Sequence, residues 1–340
     1  MSVAEQVVVT GAGGWLGRNL VEALAPERAV VRVLVQTADE AAVLALAGRS
    51  VQTVVGDVRH PAVVDELFDG VAAGATVVHA AAVIHPERRV RELFDVNVGG
   101  TCLVLDRARR HGMGRLVHVS SNSPFGVNPH PGHRFDERSP YDPYLGYGAS
   151  KQEAEELVLI AAERGDVDAV IVRPPWFYGP HQPARQTQWL RAVRRGRFPL
   201  VGDGSNRRSM VHTGNLVHGI LCAEASAPTG AAYWIADVEP HTMVEVLATV
   251  RRALVAEGLP VSGGQPRLPR LAGVAAEGLD RALQRTGRYV QALHVLGELK
   301  ETIACDVSLA QAEIGYAPAT DLFEGMRASI RWCVERGHEL

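Results

Sequence analysis

A tyrosine and a lysine four residues apart form the pair in this sequence with the most specific chemistry. Lys151 is one of only two lysines in the 340-residue chain, and it closes the segment Tyr147-Gly-Ala-Ser-Lys151. On an α-helix, residues four positions apart lie on one face, about 5–6 Å from each other. The ammonium would stabilise the phenolate, so we expect the pKa of Tyr147 to fall from about 10 toward neutrality. Such a tyrosine could serve as general acid and base in an alcohol–ketone interconversion.

The N-terminal segment has the pattern of a dinucleotide-binding turn. An apolar run at residues 7–9 precedes the segment Thr10-Gly-Ala-Gly-Gly-Trp-Leu-Gly17. A helical pattern follows through Leu24, and Pro26 closes it. Strand, glycine turn and helix are the context that a glycine fingerprint needs.

Each glycine of this turn has a separate expected role. Gly11 would permit the tight turn, Gly14 would let the backbone approach a pyrophosphate, and Gly17 would allow close helix–strand packing. The start of the helix, with Trp15 and Leu16, would offer amide donors and a positive dipole end to the phosphates.

Strand-like and helix-like segments alternate through the first half of the chain. This alternation predicts an α/β fold, a Rossmann-type doubly wound parallel sheet with helices on both faces. The predicted strands are 30–35, 51–55, 76–79, 115–120 and 168–172, and the predicted helices are 61–68, 90–110 and 151–164.

The character of the sequence changes near Pro174. Residues 174–206 are rich in Pro, Gly, Arg and aromatic residues and are expected to form loops over a ligand. We therefore expect a dinucleotide-binding domain at 1–174, with 211–240 returning to it, and a smaller, mainly substrate-binding domain at 175–340. The end of the chain, from 271 to 336, is expected to be mostly helical.

Composition excludes several classes of protein. A net charge of −3 with dispersed arginines does not indicate nucleic-acid binding. No run of about 18 apolar residues and no secretion signal is found, so a cytoplasmic protein without a membrane span is expected. The cysteines have no metal-ligand spacing, so no metal is expected, and they are predicted to be buried thiols in a reducing compartment: Cys102, Cys222, Cys305 and Cys333.

The glycine spacing after Thr10 and the Tyr-x-x-x-Lys segment together resemble the short-chain dehydrogenase/reductase superfamily. The length and later motifs are similar to its extended branch, which includes sugar-nucleotide epimerases, dehydratases and 3β-hydroxysteroid dehydrogenase-like enzymes. The resemblance covers nearly the whole chain. It implies a Rossmann fold, a nicotinamide dinucleotide and a catalytic serine at Ser121, whose hydroxyl would orient the substrate oxygen near Tyr147. Ser123 is the alternative for that role.

The same resemblance implies further cofactor contacts, mostly at strand ends. They are Asp57 and Val58 near the adenine, Ala80 and Ala81 beside the cofactor, Asn97 near the site, and Pro174 near the nicotinamide carboxamide. Gln36 stands where an acidic residue would favour NAD and an arginine would favour NADP. The sequence therefore leaves NAD and NADP both open.

The substrate side is less defined. Asn122-Ser123 follow Ser121 where dehydratases of the extended family place Asp-Glu, so β-elimination lacks its acid and base. Arg208 could bind a phosphate or carboxylate, and Asn215 after it resembles the 3β-hydroxysteroid dehydrogenase-like branch. His85, Trp176 and Ser123 are further candidate substrate contacts.

The sequence thus predicts an NAD(P)-dependent oxidoreductase that interconverts a secondary alcohol and a ketone in a small-molecule substrate. Two alternatives stay open: a sugar-nucleotide 4-epimerase that retains NAD, and a non-catalytic dinucleotide-sensing protein. The helices near 90–110 and 151–164 resemble those that pair across a two-fold axis in the extended family, which implies a homodimer.

Overall fold

A computed structural model describes residues 4–87 and 89–340. Its strands are β1 (Gln6–Thr10), β2 (Val30–Val35), β3 (Val51–Val55), β4 (Thr76–His79), β5 (Arg115–Val119), β6 (Ala169–Arg173), β7 (Trp176–Tyr178), β8 (Leu200–Val201), β9 (Arg207–Arg208), β10 (Met210–His212), β11 (Ala232–Trp234), β12 (His241–Thr242) and β13 (Arg267–Leu268).

Helices connect these strands and make up most of the C-terminal part. They are α1 (Trp15–Leu24), α2 (Ala38–Ala45), α3 (Pro61–Phe68), α4 (Arg91–Asn97), α5 (Gly99–Arg110), α6 (Leu145–Glu163), α7 (Ala184–Arg194), α8 (Thr213–Ser226), α9 (Met243–Ala256), α10 (Arg270–Arg285), α11 (Gln291–Glu298), α12 (Ser308–Ile314) and α13 (Leu322–Glu335).

The central sheet has seven parallel strands in the order β11-β6-β5-β4-β1-β2-β3. Val7 and Val9 of β1 pack in one apolar cluster and Val8 packs in the other, because successive side chains of a strand point to opposite faces. All three are fully buried, as expected for a parallel sheet covered on both faces. The predicted α/β fold is confirmed.

The second half of the chain both completes the sheet and builds a separate core. Strand β11 pairs in parallel with β6, so a segment between 211 and 240 forms one sheet edge. A third apolar cluster joins α7, α9 and α13 away from the sheet. The division into a cofactor and a substrate domain remains a prediction.

Two local expectations are wrong. Residues 174–206 are not only loops, because α7 buries Trp189, Leu190 and Val193 in the third cluster. The predicted helix 90–110 is interrupted at Val98, which separates α4 from α5.

The cysteine prediction also needs correction. Cys305 and Cys333 are buried, whereas Cys102 is exposed on α5 and Cys222 is half-buried on α8. In the described ranges no helix combines the length and the apolar character needed to cross a bilayer. Nor do three His, Cys, Asp or Glu side chains converge there as metal ligands would.

Candidate active site

The carboxyl ends of β1, β4 and β5 lie side by side at one edge of the sheet. Thr10 aligns with His79, and His79 aligns with His118. The glycine turn follows β1 directly, and the segment that contains Ser121 follows β5. Ligands of doubly wound sheets bind at this edge, so the geometry brings the two predicted halves of the site together.

The glycine turn has the shape that a pyrophosphate requires. Gly11 has φ +71° and lies so close to Ala80 that a Cβ would come within 2.7 Å of the Ala80 carbonyl. A Cβ at Gly17 would overlap the Gly11 carbonyl oxygen. At Gly14, by contrast, among residues 4–87 and 89–340 and apart from its neighbours along the chain, a Cβ would meet just one atom within 4 Å, the Gly11 oxygen at 3.2 Å. The Gly14 backbone therefore has an open face toward a phosphate.

We expect Gly14→Val to weaken dinucleotide binding at least 10-fold without unfolding the protein, because the valine would occupy the space of the pyrophosphate. Fluorescence titration with NADH and NADPH measures the affinity, and a thermal melt measures stability. Gly17→Val is the contrast, since its side chain would overlap the backbone and lower the Tm. Unchanged affinity of Gly14→Val for both dinucleotides would contradict the site.

Helix α6 carries the predicted catalytic pair, and both side chains are almost completely inaccessible. Tyr147 is 8% exposed and Lys151 is 1% exposed. The first turn of α6 packs tightly on the preceding loop, because a Cβ at Gly148 would overlap the Ser123 carbonyl oxygen. That oxygen also accepts a hydrogen bond from the Tyr144 amide at 3.0 Å. These contacts fix the start of α6 against the serine segment.

The expected acidification of Tyr147 is not found. Burial raises the pKa of Tyr147 to about 12, because the phenolate would lose its hydration. A hydrogen bond with Ser121 and the positive charge of Arg185 oppose this shift. The Lys151 ammonium does not face the phenol but donates to the Val119 carbonyl oxygen at 2.8 Å. Tyr147 is therefore protonated at neutral pH, the form that can donate a proton.

Lys151 lies in a pocket of neutral histidines. Burial lowers its pKa to about 8, so it remains mainly cationic at pH 7. Its Nζ is 3.4 Å from Nε2 of His118. Burial and the Lys151 charge also lower the pKa of His79, to about 3, and that of His118.

The hydrogen bonds of His79 determine its tautomer. The Thr101 hydroxyl donates to the Asn97 carbonyl oxygen at 2.6 Å, so it must accept the proton of His79 Nε2 at 3.0 Å. The Thr10 hydroxyl, which accepts from the Ala81 amide at 3.2 Å, donates to Nδ1 at 2.7 Å. His79 is thus satisfied only when neutral, and it ties the end of β1 to the loop after β4.

These neutral histidines should make the fold sensitive to mild acid. Their folded pKa values lie below the value of 6.5 expected for the unfolded chain, so protonation favours unfolding. The contribution to stability is complete above pH 6.5 and is lost as pH falls toward 3, at up to about 1.4 kcal/mol per pH unit for each histidine.

Urea unfolding between pH 7 and 5 measures this loss. We expect His79→Gln to reduce the slope of stability against pH, whereas the same change at exposed His130 should leave it intact. A flat stability across this range in the unsubstituted protein would contradict the prediction.

Asn97 has its amide engaged by the protein. Its Oδ1 accepts from the Val83 amide at 2.8 Å, and its Nδ2 donates to the Val83 carbonyl at 3.0 Å and to the Ser150 hydroxyl at 2.9 Å. These bonds join the loop after β4 to α6, and the contact of Asn97 with the cofactor stays a prediction.

The other predicted cofactor residues surround the same edge. Asp57 is ion-paired with Arg59, which lowers the pKa of the carboxyl. Val58 is buried and packs against Gly100, so closely that a Cβ at Gly100 would collide with the Val58 side chain. Leu16 is buried in α1. Trp15 donates from its indole nitrogen to the Pro180 carbonyl at 2.8 Å. Gln36 is exposed at the end of β2, and Pro174 follows β6.

The predicted substrate residues fare differently. Ser123 lies with its hydroxyl 3.3 Å from that of Ser121, and half-buried Trp176 packs against Trp189 with ring centroids 5.0 Å apart. Nδ1 of His85 is 2.5 Å from the Tyr289 hydroxyl. Arg208 is a correction: it is buried and ion-paired with Glu298 at 2.9 Å, so its charge is already neutralised.

Sequence reasoning missed Arg185, at the start of α7. The residue is exposed at its surface, yet desolvation by the surrounding protein lowers its pKa. Its charge acts on both Tyr147 and Tyr289, so it lies near the candidate catalytic phenol. In the described part of the chain it forms no ion pair. Its position on α7, within the segment expected to be loops, concealed it.

Comparison with known proteins agrees with this geometry. The model of the NAD dependent epimerase/dehydratase family matches residues 7–236. An uncharacterized protein of Sinorhizobium fredii, y4nL, is 42% identical, with 98% of this chain and 96% of that protein covered. A 4-hydroxy-2-methyl-3-oxo-4-farnesyl-3,4-dihydroquinoline-1-oxide ketoreductase of Stigmatella aurantiaca is 32% identical over 94% of both chains.

A solved structure has the same fold along nearly its whole length. It is a double mutant of DesIV, a dTDP-glucose 4,6-dehydratase of Streptomyces venezuelae, with NAD bound. The two structures superpose with a TM-score of 0.75 and 25% sequence identity. The alignment covers 97% of this chain and 98% of the DesIV chain. With the glycine turn, the parallel sheet and the Tyr147–Lys151 spacing on α6 in place, the chain belongs to the NAD-dependent epimerase/dehydratase family of extended short-chain dehydrogenases/reductases.

Proposed function

We propose that the protein is an NAD-dependent oxidoreductase that interconverts a secondary alcohol and a ketone, with Ser121, Tyr147 and Lys151 as its catalytic residues. One observation carries this proposal: contacts at Ser123 hold the start of α6, with the buried Tyr147 phenol, against the serine segment after β5, at the sheet edge that also holds the glycine turn. A protonated phenol beside a second hydroxyl can bind one carbonyl oxygen from two sides.

In the direction of reduction, Tyr147 donates its proton to the substrate oxygen, and Ser121 donates a hydrogen bond to the same oxygen. NAD, when bound in its reduced form, supplies the hydride. Lys151 would hold the nicotinamide ribose when NAD is bound, and the positive charge of Arg185 favours the phenolate left after proton transfer. In the direction of oxidation the phenolate accepts the alcohol proton.

Two alternatives use parts of the same site. A sugar-nucleotide 4-epimerase would employ the same three residues and return the hydride to the opposite face of the substrate. Arg208, the candidate for binding a substrate phosphate, is neutralised by Glu298 and does not favour a nucleotide sugar. A dinucleotide-sensing protein would need neither Tyr147 nor Ser121 for proton transfer.

The test is a screen of alcohols, ketones and nucleotide sugars with both cofactors. We expect net oxidation or reduction of free cofactor with at least one alcohol or ketone. Conversion of a nucleotide sugar without net cofactor change would support the epimerase instead. Cofactor binding with no turnover of any substrate would support the sensor.

Three residues from outside the sheet, Arg185, Tyr289 and His85, are added to the proposed substrate contacts. Arg185 offers a cation, and Tyr289 and His85 offer polar groups next to it. Burial lowers the pKa of His85 to about 4, so this histidine is neutral at pH 7. An electron-rich oxygen or an anionic group on the substrate would fit beside Arg185.

The homodimer stays a prediction, but its contact face can be stated more closely. Leu93, Val96 and Val104 are buried within the protomer and are not available to a partner. The outer face of α4, α5 and α6 instead forms an open groove whose lining is half apolar or glycine and half charged: Phe94, Val98, Gly99 and Leu103 with Arg59, Arg91, Asp95 and Glu153. Light scattering across a dilution series should give twice the 36.6 kDa monomer mass. The monomer mass at every concentration would contradict pairing.

A further inference from the structure

The carboxylate of Glu40 lies between the glycine turn and the end of β2. Its Oε2 accepts a hydrogen bond from the Gln36 backbone amide at 2.8 Å. It also touches the turn itself, because a Cβ built on Gly13 would overlap both carboxylate oxygens and the carbon between them. Glu40 belongs to the first turn of α2, four residues after Gln36, the position at which an acidic residue would favour NAD.

The end of β2 is where Rossmann folds recognise the adenosine ribose of a dinucleotide. In Rossmann folds an acidic residue after the second strand accepts hydrogen bonds from the ribose hydroxyls. Gln36 occupies that place in this chain and cannot carry a negative charge. Glu40 delivers a carboxylate to the same place from the following helix.

We propose that Glu40 is the residue that selects NAD over NADP. A carboxylate next to Gly13 can accept a hydrogen bond from the 2′-hydroxyl of the ribose, and it repels the 2′-phosphate of NADP by like charge. Arg18 lies at the same turn, where its Nε donates to the Gly13 carbonyl at 2.8 Å. The proposal therefore requires that the Glu40 carboxylate outweigh this guanidinium in the choice between the two dinucleotides. The glycine turn described above, with its open face at Gly14, shows that the chain can hold the rest of the dinucleotide.

A purely structural role for Glu40 is the main competing explanation. The segment Thr37-Ala-Asp-Glu40 has the spacing of a capping box, and Thr37 Oγ1 accepts from the Glu40 amide at 3.2 Å. The Glu40 side chain, however, bonds the amide of Gln36 rather than that of the cap residue Thr37. It does so with Oε2, and Oε1 makes no hydrogen bond to the described residues, so it is available to a ligand hydroxyl.

The experiment separates charge from capping. Glu40→Gln keeps an oxygen that can accept the Gln36 amide but removes the charge. Asp39→Asn removes a carboxylate from the neighbouring exposed position of the same turn and serves as the matched control. Dissociation constants for NADH and NADPH are measured by fluorescence titration, with a thermal melt for stability.

We expect the unsubstituted protein to bind NADH at least 10-fold more tightly than NADPH. Glu40→Gln should reduce this ratio at least 10-fold, and Asp39→Asn should change it less than 2-fold. The proposal fails if the unsubstituted protein shows no preference, if Glu40→Gln lowers only the Tm, or if both variants change the ratio equally. Because these are binding measurements, their outcome is independent of whether the proposed alcohol–ketone chemistry is correct.

Discussion

Tyr147→Phe should lower kcat by about 10²–10⁴-fold, the usual effect of losing a general acid. The phenyl ring fills the same buried space, so folding and NADH affinity should stay close to those of the unsubstituted protein. Only the hydroxyl, the proposed proton donor, is removed. Steady-state rates with a substrate found in the screen, together with an NADH titration, measure both effects.

The control for this variant is the same chemical change far from the site. Tyr233 lies on β11, and its hydroxyl donates to Glu313 at 2.7 Å. Tyr233→Phe should leave kcat within a factor of two of the value for the unsubstituted protein, although it removes the hydrogen bond to Glu313. If Tyr147→Phe retained turnover within a few-fold, Tyr147 would not be the proton donor.

The fold, and the placing of the residues proposed to be catalytic, were accessible from sequence for physical reasons. Alternating apolar strands and helices determine the parallel sheet, and the three glycines of the turn are separated by the spacing that close packing requires. The helical spacing of Tyr147 and Lys151 correctly placed both on α6. These signals are local, so a single sequence carries them.

The features that the sequence did not reveal depend on long-range contacts. Arg208 meets Glu298, 90 positions later, and this pairing removes its charge from the candidate phosphate site. Glu40 reaches the glycine turn from a different helix. The pKa of Tyr147 was misjudged because helical spacing determines only that two Cα–Cβ bonds lie on one face of the helix. Burial of the phenol raises its pKa, and the Lys151 ammonium turns toward the Val119 carbonyl of β5.

Lys151→Arg should be severely impaired in turnover, by at least about 10²-fold, although it conserves the charge. Lys151 is 1% exposed, and its compact ammonium fits between the Val119 carbonyl and His118. The planar guanidinium is larger and has a fixed fork of donors, so it cannot occupy this space in the same way. It should therefore displace either the nicotinamide ribose or the Tyr147 ring.

The other lysine of the chain provides a matched control. Lys300 is also buried, at 7% exposure, and it is ion-paired with Glu277 at 2.7 Å. Lys300→Arg tests whether arginine at a buried lysine site is tolerated by the fold, and its kcat should remain within a few-fold of the value for the unsubstituted protein.

The pH profile adds a second readout: the free-enzyme kcat/KM of the unsubstituted protein should change near pH 8, where Lys151 loses its charge. Arginine does not deprotonate in this range, so Lys151→Arg should lose that feature. Unchanged rates and an unchanged profile would show that Lys151 takes no part in the reaction.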